Sequence, residues 1–169
     1  MDVEMLHEAM VENAEWIRRM IEGMPPAQAR WKPDPDTWSA LEVINHLADE
    51  EVEDFRTMLD LILHAPTRPL PRIDPMGWVT SRKYNARDLG ASLQRFLDQR
   101  QRSLRWLHEL SSPDWEAAVD MSHGEMRAGD VAASWVIHDQ WHMQQLIQIR
   151  RAYLAERFAP YRTAYAGTL

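Results

Sequence analysis

The sequence predicts an all-α protein, a four-helix bundle. Four long stretches carry apolar residues at steps of three and four, and helix caps punctuate their ends. One long proline-rich connection in the middle suits a crossover between parallel neighbours better than a tight antiparallel turn. Helices of this length bury their stripes most simply against one another.

In residues 2–23, Val3, Leu6, Met10, Ala14, Ile17 and Ile21 form the first stripe, and Gly23 with Pro25 and Pro26 stops it. The stretch "ARWKPDPDTW" is too rich in Pro and Asp to remain helical and reads as a loop. Ser39 caps a second helix, with Glu42 three residues on in the capping-box arrangement. Its stripe is Leu41, Ile44, Ala48, Phe55, Leu59 and Ile62, and Pro66 ends it. Residues 65–87 hold four prolines and form the long connection between helices 2 and 3. A third helix starts near Asp88 and carries Leu89, Leu93, Phe96, Leu97, Leu104, Leu107 and Leu110. "VDMSHGEMR" (119–127) suggests a short hairpin turning at His123–Gly124. Asp130 is the expected N-cap of a fourth helix that runs to about Arg157.

A chain of 169 residues suits one domain, 1–169, with a core of its own. No apolar run approaches the ~20 residues that span a bilayer, and "MDVEMLHEAM" lacks the order of a signal peptide. The expectation is a cytoplasmic protein with no membrane partner. Cysteine is absent, which excludes disulfides, thiolate metal sites and a cysteine nucleophile. A net charge of −7 argues against nucleic acid as the main partner. Charge is uneven: residues 1–60 carry 15 acidic and 5 basic side chains, residues 61–110 carry 4 and 9. The plain expectation is a basic helix packed beside acidic ones, its arginines in water.

"HDQWH" (138–142) sets two histidines on one face of the fourth helix, 40° apart, in a stripe with Val131, Trp135, Ile149 and Tyr153. Imidazoles at i and i+4 reach one ion on their shared side, or each bonds a buried partner. His46 is the candidate third ligand. The helical wheel places it opposite the apolar stripe of helix 2, beside Asp49 and Glu53, where a surface histidine is the simpler reading. As a ligand it would require a cleft on the bundle's flank. His7, His64, His108 and His123 have no such company and read as structural or solvated. A zincin needs a further ligand after a turn, but this helix runs on. A di-iron bundle needs two Glu-x-x-His pairs, and only Glu4-x-x-His7 matches.

Trp38-Ser39 followed by "HLAD" (46–49), with "W-x-x-H-D-x-x-H-x-x-Q-L" from Trp135 to Leu146, resembles the DinB/YfiT-like superfamily. The resemblance covers nearly the whole chain. It implies helices in up-down-down-up order, commonly a homodimer, and one divalent metal held by His46, His138 and His142. It also implies that Trp38 and Trp135 shape the pocket. Characterised relatives use low-molecular-weight thiols such as mycothiol or bacillithiol.

Three neutral imidazoles leave an ion such as zinc or nickel an open position. Asp49, one turn from His46, and Asp139, beside His138, are candidates to orient the ligands or act in catalysis. Gln145 is a candidate to hydrogen-bond a ligand or substrate. Trp141 is a further pocket candidate, while Trp16 and Trp106 are expected in the core. The expected activity on a small-molecule substrate is a thiol-dependent S-transferase, the thiol arriving as cosubstrate. The alternatives are a hydrolase using metal-bound water, with Asp49, Glu50 or Asp139 as base, and a non-enzymatic metal- or ligand-binding bundle. No obvious fourth protein ligand closes the site, which favours an open, reactive metal.

Overall fold

The computed structural model describes residues 1–121 and 124–167. Four long helical units form the bundle: α1 (Val3–Ile21), a second unit of α3 (Ala40–Glu50) and α4 (Thr57–His64), α6 (Leu89–Glu109) and α7 (Ala128–Arg157). Two short helices, α2 (Pro26–Arg30) and α5 (Pro75–Ser81), lie in the connections. The hairpin pairs β1 (Ala118–Met121) with β2 (Gly124–Arg127) antiparallel. Its expected turn residue His123 lies outside the described residues. No described helix is long and apolar enough to cross a membrane.

The caps follow the chemistry of the sequence. Asp2 accepts from Glu4 N, and Asp88 accepts from Ala91 N. Ser39 and Glu42 close a reciprocal capping box at α3. The last helix begins earlier than expected, at Ala128, and Asp130 sits at its third position, accepting from Arg127 N.

Between α3 and α4 the second unit passes through a π-helical segment, Glu51–Arg56. This wider turn changes the phase of everything after it. A wheel drawn through Leu41 and Ile62 as one regular helix therefore mixes two registers.

α6 packs on both α1 and α3, α7 on α1 and the second unit. The core divides into two apolar clusters. One holds Leu6, Met10, Leu59, Ile62, Leu107, Val131 and Trp135. The other holds Ile17, Ile21, Leu41, Ile44, Phe96, Leu146 and Ile149. α1 and α7 run from the first cluster to the second; the second unit and α6 run the other way. At the seam Asn13, Glu51, Arg100 and Asp139, drawn from all four long units, are buried and linked by hydrogen bonds.

The crossover is not a bare loop. α5 and a 3₁₀ turn (Tyr84–Ala86) pack against α3. They complete its enclosure, so every residue from Ala40 to Glu50 is buried. The uneven charge along the sequence also resolves here. Arg82, Arg95 and Arg100 reach back to Asp49, Glu53 and Glu51 and do not lie simply in water. Trp16, expected in the core, is 49% exposed; Trp106 packs against the first cluster as expected.

Candidate metal centre

His46 comes from the middle of α3, and His138 and His142 from successive turns of α7. Their ligand atoms all lie within 4.8 Å of one another. His138 Nε2 stands 3.3 Å from His46 Nε2 and 3.1 Å from His142 Nε2. Two metal–nitrogen bonds of ~2.05 Å at a tetrahedral angle place their nitrogens about 3.3 Å apart. The spacing fits one ion.

The chemistry of the donors fits as well. Burial lowers the pKa of all three imidazoles, to about 2 for His46, where the other two rings add to it, and about 4 for His138. They are neutral at physiological pH, as ligation requires. His142 Nδ1 donates to Gln145 Oε1 at 2.8 Å, which leaves its Nε2 lone pair facing the other rings. Trp38 lies 4.8 Å from the His46 ring and stacks parallel to His142 at 6.0 Å. His46 is buried, contrary to the wheel, because Trp38 and the two histidines of α7 pack against its ring. His138 keeps 24% of its side chain exposed, so the cluster is reached from the flank.

The two aspartates lie elsewhere. Asp49 accepts from Arg82 and Tyr84 on one oxygen and Arg95 on the other. Burial alone would raise its pKa, but these donors outweigh it and hold the carboxyl below its ordinary value. Asp139 faces the interior, where it accepts from Asn13 and Arg100. Trp135 is buried one layer below the histidines: its Nε1 donates to Glu51, and Phe55 stands between its ring and His138. Trp141 points outward, 68% exposed.

Glu50 is the carboxylate at the histidines. Its Oε2 is 3.9 Å from His138 Nε2, and its Oε1 is buried without a partner. Burial, with Asp54 and Asp49 nearby, pushes its pKa up to about 8. The sequence offered it as one of three candidate bases, with Asp49 and Asp139, and did not separate them. Its place beside His138, with one oxygen unpartnered, is what singles it out, and that signal is structural.

Fold and site together define a helical bundle with a three-histidine pocket able to hold a divalent ion on its flank. A DinB superfamily model matches residues 10–146, and the chain belongs to that superfamily. Among solved structures, YfiT from Bacillus subtilis is similar, with a TM-score of 0.77 and 16% identity over 88% of this chain and 86% of that one. That protein is described as a probable metal-dependent hydrolase with an unusual four-helix bundle topology. At this identity the likeness speaks for the fold. No curated protein sequence matches the chain.

Proposed function

We propose that the protein is a metal-dependent hydrolase of a small-molecule substrate, with His46, His138 and His142 holding one zinc or nickel ion. The observation that carries this reading is the placement of Glu50, 3.9 Å from His138 Nε2 with one buried oxygen uncommitted. When bound, the ion supplies Lewis acidity towards a water or a thiol. Gln145 holds His142 in the tautomer that presents Nε2. Trp38 walls the pocket beside His46 and His142 and limits water. A bound ion's charge would bring the raised pKa of Glu50 down, leaving a carboxylate that takes the proton of the entering nucleophile and returns it to the leaving group. Asp49 and Asp139 keep their oxygens on arginines and serve the scaffold.

The second reading is a low-molecular-weight-thiol-dependent S-transferase. It is consistent with the absence of cysteine, since its thiol nucleophile arrives as a cosubstrate from solution. Mass spectrometry of untagged protein should find one equivalent of metal, lost in His46→Ala and His138→Ala. Small ester and amide substrates are then offered with and without added thiol. Turnover without thiol supports the hydrolase, turnover only with thiol the transferase. A wild type that takes up neither zinc nor nickel ends both.

A further inference from the structure

A buried ionic layer crosses the bundle beside the histidines. Arg100 donates to both oxygens of Glu51, at 2.8 and 2.9 Å, and to both oxygens of Asp139, at 2.8 and 3.0 Å. It donates a fifth bond to Met10 O at 3.0 Å. Asn13 joins Asp139 to Val136 O, each at 3.1 Å. Arg100, Glu51 and Asp139 are all 1% exposed.

Burying three charges is a poor way to gain stability, because desolvation cancels most of the attraction. What such a layer does supply is register, as a single buried polar residue does in a coiled coil. Its connectivity tells what is being registered. Glu51 is next to Glu50 and five residues beyond His46; Asp139 adjoins His138 and lies three residues before His142. Arg100 stands on α6, which carries none of the three histidines. One guanidinium thus clamps the two ligand-bearing helices to each other through a third. A slip of one residue along a helix is ~1.5 Å, whereas metal sites tolerate ~0.2 Å in ligand distance. Apolar packing alone is less selective, since hydrophobic side chains accept neighbouring registers with repacking.

We propose that Arg100, with Glu51 and Asp139, is the positioning device of the metal centre: it sets the register of α3 against α7 that makes the three Nε2 atoms converge. The inference rests on the reading of the histidines as ligands. It predicts a loss of metal affinity that does not follow from a loss of stability.

The test is a triple variant, Arg100→Met with Glu51→Met and Asp139→Leu, beside the near-isosteric singles Glu51→Gln and Asp139→Asn. Helical circular dichroism and urea unfolding of the metal-free proteins are compared with zinc affinity and the visible spectrum of the cobalt-loaded forms. The expected triple variant is folded and at least as stable as the wild type. It should bind zinc ~10–100-fold more weakly, the usual loss when groups behind a metal's ligands are removed, with a changed cobalt spectrum. A folded triple variant with wild-type affinity and spectrum overturns the proposal. Should the triple fail to fold, the singles decide by the same criterion: folded, with unchanged affinity, they overturn it. A wild type that binds no zinc or cobalt sinks the histidine reading itself, an outcome visible before any variant is examined.

Discussion

Asp49 and Glu50 are consecutive residues of one helix, both buried, and their surroundings are opposite. Asp49 faces outward, where the crossover and α6 deliver Arg82, Tyr84 and Arg95 to its two oxygens. Glu50 faces the histidines with one oxygen unpartnered and its pKa pushed up to about 8. A fully satisfied buried carboxylate ties pieces of chain together. A buried carboxylate left with spare capacity costs free energy that a structural role does not repay. The pair separates scaffold from chemistry across a single peptide bond.

The comparison can be broken most directly at Glu50. Glu50→Gln should keep one equivalent of metal and unfold within about 1 kcal/mol of wild type, yet lose ~100-fold or more in kcat on whichever substrate the wild type turns over. Equal loss of metal and activity would make Glu50 a ligand, and no loss would return it to the scaffold.

Asp49→Ala should do the reverse. It strands the cations and phenol gathered round a buried carboxylate, at a cost of about 2–3 kcal/mol, below the figure for a fully buried pair because Arg82 and Arg95 are partly exposed. Urea unfolding measures this, and metal stoichiometry should remain one. The pH dependence has a definite sign. Asp49 titrates below its unfolded value, so its stabilisation is complete above ~pH 4 and fades as pH falls through the folded pKa. The acid limb of the stability curve should therefore flatten in Asp49→Asn.

Gln145→Ala frees the tautomer of His142 and should weaken zinc binding ~10-fold without changing the fold. The smallest effect is expected of Tyr84→Phe, which removes one donor to Asp49 while two arginines remain. A loss of ~1 kcal/mol in unfolding, with metal binding and turnover intact, would place the Tyr84 turn wholly on the scaffold side.

How much of this was legible along the chain differs by range of interaction. The capping box at Ser39, the stop at Gly23 and the shared face of His138 and His142 depend on residues within one or two turns, and these read directly. His46 did not: its burial depends on Trp38 and on α7, whose histidines lie 92 and more residues downstream. Asp49 looked like a companion of His46 because it is three residues away, yet its partners lie 33 to 46 residues downstream. The π segment hid the phase of helix 2, since no periodicity rule anticipates the extra width of one turn.

The sequence by itself determined four amphipathic units, the caps of the first three, the hairpin, a cysteine-free donor set and two histidines aimed at one point. Only the tertiary structure decided that His46 completes the cluster, that Asp49 and Asp139 are spent on arginines, and that Glu50 is not. The physical reason is that periodicity reports which face of a helix is apolar. The fate of a charge depends on which distant side chain reaches it first.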